Sequence, residues 1–165
     1  MQENDNAMHE TTITTTLTIC QPDELSPLDQ QLIRAAKEAT SRSYSKYSAF
    51  AVGAAVLLSN GETIVGCNQE NAAFSTTICA ERTALFSAGA QHPHSAVVAI
   101  AIAAKTGGQF TPEPVTPCGT CRQALLETEQ RFGRAVRIIM YGANRTFVVD
   151  GTRSLMPLSF SEESM

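Results

Sequence analysis

The stretch FAVGAAVLLSNGETIVGC, residues 50–67, decides the fold. From Phe50 to Leu58 it is apolar or glycine without a break, which reads as a buried strand. Asn60-Gly61 follows at once and is a strong hairpin signal, because both residues accept positive φ. The chain then returns from Thr63 to Cys67 as a second strand.

Helical patterns lie on either side of this hairpin. Ser26-Pro27 supplies an N-cap followed by proline at the first helical position. Leu28, Leu32, Ala35, Ala36 and Ala39 then recur on one helical face. A second helix is expected from near Cys79 to about Ala88, with Gly89 stopping it. Ala96–Ala103, rich in valine and isoleucine, reads as a third strand. A third helix runs from near Cys118 to Phe132-Gly133, and two strands follow, Val136–Tyr141 and Thr146–Val149, around a turn at residues 142–144. The order α-β-β-α-β-α-β-β predicts an α/β fold, a three-layer α/β/α sandwich around a mixed five-stranded sheet. Residues 25–165 read as a single domain. Residues 1–24 form a polar extension in which Ile13, Leu17 and Ile19 among threonines fit either an edge strand or a loosely ordered tail.

Composition narrows the function classes. The chain has 165 residues, a net charge of −4, few aromatics and no tryptophan. Tracking a nucleic acid polymer needs a basic surface, which this balance disfavours. No apolar run is long enough to cross a bilayer, and the N-terminus lacks the basic-then-apolar pattern of a secretory signal. Five cysteines, an odd number with three in a metal pattern, fit a reducing, cytoplasmic setting.

That metal pattern is Cys79-Ala80-Glu81 together with the distant Pro117-Cys118-Gly119-Thr120-Cys121. A lone Cys-x-x-Cys is weak evidence, shared by redox motifs and structural zinc sites. Here Cys79, Cys118 and Cys121 supply three thiolates, one short of a closed zinc tetrahedron. The open corner suits a water, and Glu81 is placed to carry its proton. Both clusters fall at expected helix N-termini, where backbone N–H groups favour thiolate over thiol. Zinc with three thiolates sums to about −1 by charge counting, which weakens its power to acidify water. Arg82, donating to the sulfurs, is the expected compensation. Cys67 as a fourth ligand, which would make a structural zinc module, is the competing reading. Cys20, His92 and His94 read as ordinary exposed or unligated side chains. Gly107-Gly108 and residues 112–117 read as a loop carrying the chain to the metal.

Four segments carry a family resemblance: residues 47–55 (YSAFAVGAA), 66–72 (GCNQENA), 78–84 (ICAERTA) and 117–123 (PCGTCRQ). They resemble the cytidine deaminases of the short, homotetrameric, zinc-dependent type, from about Ser26 to Phe160. The resemblance implies hydrolytic deamination of cytidine and deoxycytidine with release of ammonia, in pyrimidine salvage. It implies one zinc per subunit, a nucleoside substrate and pockets at subunit interfaces. It gives Asn68 and Glu70 the ribose hydroxyls, Phe50 the pyrimidine ring and the Ala80 backbone N–H the base carbonyl. Ala72, Phe74 and Phe160 fall at positions that contribute to a neighbouring subunit's pocket. Without it, Asn68 and Glu70 would read as turn residues, Phe50 as core and Arg82 as a surface side chain. Residues 73–77 (AFSTT) stand where the family commonly has Cys-Tyr-Pro, an aliphatic residue and glycine, and Lys46 replaces a usual proline. Those departures leave a deaminase of another amino-pyrimidine or purine as the alternative.

Overall fold

The computed structural model describes residues 8–165. Of the N-terminal extension, residues 1–7 lie outside the described residues. The elements are β1 (Thr18–Cys20), α1 (Pro27–Ala39), β2 (Phe50–Leu58), β3 (Thr63–Cys67), α2 (Ala80–Gln91), β4 (Val97–Thr106), β5 (Gln109–Phe110), α3 (Gly119–Phe132), β6 (Arg137–Tyr141) and β7 (Thr146–Asp150). The sheet runs β1-β7-β6-β4-β2-β3, with β5 attached to β4. All neighbours are antiparallel except β4 and β6, which are parallel and joined by the α3 crossover.

The five strands expected from sequence form the body of this mixed sheet, and two short ones are added. β1 pairs with β7 through Thr18↔Val148, Ile19↔Phe147 and Cys20↔Thr146, so the strand portion of the extension is three residues long. Ile13 and Leu17, counted with Ile19 in the alternation, precede it and are exposed. β5 arises because Gly107 and Gly108 both take positive φ, 56° and 80°, closing a two-residue hairpin where a plain loop was expected.

Alternation along the buried strands explains the layers. Ala54, Val56 and Leu58 of β2, with Ile100 and Ile102 of β4, face α2 and α3 in one apolar cluster. Ala55 and Leu57, with Ala99, Ala101 and Ala103, face α1 in the other. Both faces of the central strands are therefore dry, which is why residues 50–58 are apolar without alternation. The Ser26 hydroxyl caps α1 by accepting from the Asp29 N–H at 3.1 Å. Leu32, Ile33, Ala36 and Ala39 bury its inner face, whereas Leu28, expected there, is exposed in the first turn.

α2 continues through Gly89 to Gln91, beyond the expected stop. The helix ends where Pro93 pushes His92 out of the helical region, to φ −131° and ψ 63°. His92 is not a free surface side chain. Its Nδ1 lies 2.9 Å from a Glu62 carboxylate oxygen, which ties the end of α2 to the β2–β3 hairpin.

Candidate active site and metal centre

Two helix N-termini meet at one end of the sheet. Cys79 is the N-cap of α2 and Cys118 the N-cap of α3. Neither spends its side chain on capping, so both sulfurs are free to face each other, 3.9 Å apart. Cys121, one turn into α3, completes the group, and the three sulfurs lie within 4.8 Å of one another. Cys121 is buried, Cys79 half-buried and Cys118 exposed, so the cluster has a closed side and an open side. No other such group occurs among the described residues.

Electrostatics favour a cation here. The Cys79 thiol is lowered to about 5, first by a hydrogen bond from the Cys121 thiol and then by Arg82, against the opposing effect of burial. The Cys121 thiol is pushed up, mainly because it donates to Cys79, with burial and the Glu81 charge adding to this. In the absence of a cation these sulfurs share protons, and a divalent metal replaces that sharing with direct bonds. The donor set therefore fits zinc, one ion per subunit.

Glu81, in the first turn of α2, is only 5% exposed. Burial pushes its carboxyl up, with the negative charge of Cys79 adding to the effect. Arg82 reaches back so that Nη2 is 3.8 Å from the Cys79 sulfur. Its Nε is buried without a hydrogen-bond partner. Ala80 is fully buried against β3. Cys67 lies outside the cluster and its sulfur takes a contact from Gln69 Nε2 at 3.2 Å.

The segment after β3 links this centre to a second group of polar residues. Gln69 and Ile78 exchange backbone hydrogen bonds of 3.0 and 3.1 Å, which sets the residue before Cys79 beside the 68–70 segment. Asn68 is buried and locked: Oδ1 accepts from Val52 N at 2.8 Å and from the Ser43 hydroxyl, while Nδ2 donates to the Phe50 carbonyl at 2.9 Å. Phe50, half-buried, is thereby joined to Asn68. Glu70 Oε2 accepts from Tyr47 N at 2.7 Å and Ser48 N at 3.3 Å, and Oε1 accepts from the Ser48 hydroxyl. The Ser48 hydroxyl first, then the two backbone N–H groups, hold the Glu70 carboxyl below its ordinary range.

Tyr47, Ser48, Glu70, Phe74 and Thr77 line a cleft of about 360 Å³. Phe74 is 73% exposed and meets Tyr47 edge-on, with ring centroids 5.9 Å apart. Ala72 is exposed on the same loop. Phe160 is not in this cleft; it is exposed, and its carbonyl accepts from Gln123 Nε2 of α3 at 2.9 Å. Sequence reasoning passed over Tyr47, Ser48 and Ser43 as partners of Glu70 and Asn68. Only the position of Ser48, two residues before Phe50, offered a local hint.

Three cysteine sulfurs without a fourth ligand among the described residues, and a buried carboxylate two residues after the first of them, match the donor pattern of a hydrolytic zinc site rather than a closed structural one. The family model for the cytidine and deoxycytidylate deaminase zinc-binding region matches residues 26–140, and the chain belongs to that family. It is 48% identical over 98 residues to a cytidine deaminase of Halalkalibacterium halodurans, covering 59% of this chain and 70% of the relative. A cytidine deaminase of Sporosarcina psychrophila is 46% identical over 98 residues, covering 59% and 68%. Among solved structures, the cytidine deaminase of Burkholderia pseudomallei superposes with a TM-score of 0.69 at 36% identity, over 79% of this chain and 98% of that one.

Proposed function

We propose that this protein hydrolyses cytidine, and deoxycytidine with it, to the uridine nucleosides and ammonia. The observation that carries the reading is the convergence of Cys79, Cys118 and Cys121 beside buried Glu81. Cys79, Cys118 and Cys121 would hold a zinc ion, which when bound would supply the Lewis acid that makes water a nucleophile near neutral pH. Glu81 would take one proton from the attacking water and pass it to the ring nitrogen, then take the remaining proton from the new C4 hydroxyl and give it to the amine, which leaves as ammonia while the C4 carbonyl forms. A carboxyl raised by burial is suited to both accepting and giving a proton in that range. Arg82 draws electron density from the Cys79 sulfur and keeps the metal electrophilic. The Ala80 N–H holds the base carbonyl, Phe50 packs on the ring, and Asn68 and Glu70 hold the ribose. Glu70 supports this role because its carboxylate is fixed in place before any ligand arrives.

The assembly we infer is a homotetramer, working in the cytoplasm in pyrimidine salvage. Residues 25–165 act as one deaminase domain preceded by the extension. Phe86 is 56% exposed in an apolar groove of about 580 Å³ between α2 and α3, which supports burial by a second copy. Ala72, Phe74 and Phe160, all exposed in the single chain, would complete neighbouring pockets. Among the described residues no helix is long and apolar enough to cross a membrane.

The test is ammonia release from cytidine by zinc-replete protein, with Glu81→Gln beside it. The variant is expected to keep zinc and fold and to lose about 10²–10⁴-fold in turnover, the usual share of a general acid–base. Retention of most of the turnover by Glu81→Gln would refute the role. Light scattering across a dilution series tests the tetramer, and a fully active monomer would remove it.

A further inference from the structure

The turn that leads into β2 is built around one side chain. Ser48 donates its hydroxyl to Glu70 Oε1, and Ser48 Oγ itself accepts the Phe50 N–H at 3.0 Å. Its backbone N–H, with that of Tyr47, goes to the other carboxylate oxygen. Ala49, between Ser48 and Phe50, has φ 54°, the sole non-glycine residue with positive φ among the described residues. Side chains rarely adopt that conformation unless surrounding contacts impose it. The Ala49 N–H also closes the turn onto the Ser45 carbonyl at 3.0 Å. Ser48 thus ties three things at once: the Glu70 carboxylate, the strained turn and the start of the strand that carries Phe50.

A carboxylate on a partly exposed loop has several rotamers, and binding must select one. Here the selection is made in advance. Two acceptor directions of Oε2 and one of Oε1 are occupied by the Tyr47–Ser48 turn, leaving one direction of Oε1 for an incoming donor. That remaining direction can take a hydroxyl and leaves no place for a second anion. Glu70 opens on the cleft with Tyr47 and Phe74 rather than on the sulfur cluster, so its partner is the part of the substrate remote from the reacting carbon.

We infer that Ser48 is a positioning residue for nucleoside recognition: it aims the Glu70 carboxylate at a sugar hydroxyl and, through Phe50 N, sets that hydroxyl's distance from the ring-binding end of β2. This rests on the proposed deaminase reading of Glu70. Ser48 lines the cleft and lies outside the sulfur cluster, so it acts through Glu70.

The test compares cytidine with 2′,3′-dideoxycytidine, which has the same base and 5′-hydroxyl but lacks the 2′ and 3′ hydroxyls at which the carboxylate is aimed, in wild type, Ser48→Ala, Ser48→Thr and Glu70→Gln. Loss of a hydrogen bond to a charged group corresponds to about tenfold or more in affinity. Ser48→Ala is expected to raise KM for cytidine by that factor, change kcat far less, and leave kcat/KM for the dideoxy compound within about twofold. Ser48→Thr, which keeps the hydroxyl, restores the cytidine KM. Equal losses on both substrates in Ser48→Ala would show a general structural role and overturn the inference. If Glu70→Gln discriminates between the substrates while Ser48→Ala does not, Ser48 is excluded and Glu70 keeps its role. If Glu70→Gln fails to discriminate, the Glu70 reading falls and the Ser48 inference falls with it. Circular dichroism of Ser48→Ala separates misfolding from these outcomes.

Discussion

Gly66→Ala is expected to weaken the metal centre from the far side of the helix that carries it. Gly66 lies in β3 opposite Ala54, under the first turn of α2. A Cβ there would stand 2.4 Å from Ala84 N, 2.7 Å from Ala80 O and 3.0 Å from Ala84 Cα. All three are backbone atoms of α2, so no side chain can swing away. Ordinary contact begins near 3.4 Å, so the helix must lift by about 1 Å, the difference between that and the shortest separation. Overpacking of this kind costs about 1–3 kcal/mol. For a chain of this size each kcal/mol lowers Tm by about 2–4 °C, giving a fall of about 2–12 °C. The Ala80 carbonyl that must move sits between Cys79 and Glu81, so the shift displaces the start of the helix that carries both, and zinc affinity is expected to fall.

Gly53→Ala is the matched control. Its Cβ would meet Ala36 O at 2.1 Å and Thr40 N at 2.7 Å, both belonging to α1 or its C-cap on the opposite face of the sheet. A comparable or larger drop in Tm is expected, with zinc affinity of the folded protein unchanged. Thermal unfolding by circular dichroism gives the stability term, and competition with a chromophoric chelator well below Tm gives the affinity. The reasoning is refuted if Gly66→Ala binds zinc like wild type, or if both variants lose affinity in step with Tm.

Two further outcomes concern charge. In metal-free protein, thiolate absorbance is expected to report Cys79 titrating at about 5, and Arg82→Gln should move that titration upward because the anion loses a nearby cation and donor. An unmoved titration would mean that Arg82 does not act on the sulfur. Glu70 has a folded pKa below its ordinary 4.5, so its contribution to stability is fully present above that value and disappears as pH falls through the lower, folded one. The stability gap between wild type and Glu70→Gln in urea melts should therefore close only below 4.5; a gap that persists at the most acid pH would contradict the hydrogen-bonded carboxylate.

The sheet was legible because its evidence is local. Residues 50–67 carry the burial of β2 and the Asn60-Gly61 turn in a single stretch, and the continuous apolar run has a direct cause in the two dry faces. The three-sulfur cluster was legible for a similar reason: Cys79 beside Glu81, and Cys118 with Cys121, are each local patterns at a helix start. What escaped reading is pairwise and distant. Gly89 looks like a helix stop, yet α2 ends two residues later because Pro93 and the Glu62–His92 pair decide the matter. Leu28 shares a helical stripe with Leu32, but the first turn of α1 leaves it exposed. Ile33, off that stripe, is buried instead.

The polar half of the site shows the same limit more sharply. Asn68 and Glu70 follow a strand and carry no local mark that separates a solvated turn from a binding residue. Their difference lies in partners more than fifteen residues away: Val52, Phe50 and Ser43 for Asn68, Tyr47 and Ser48 for Glu70. Those partners leave the two side chains unequally available. Asn68 has both acceptor directions and one of its donors engaged within the protein, so it can offer a single N–H. Glu70 retains one acceptor direction toward the cleft. A donor and an acceptor, each held by backbone contacts to the 47–52 segment, form a complementary pair, which suits the adjacent hydroxyls of the nucleoside proposed above. Neither residue type alone would have this complementarity, and it depends on the Ala49 turn holding its left-handed conformation.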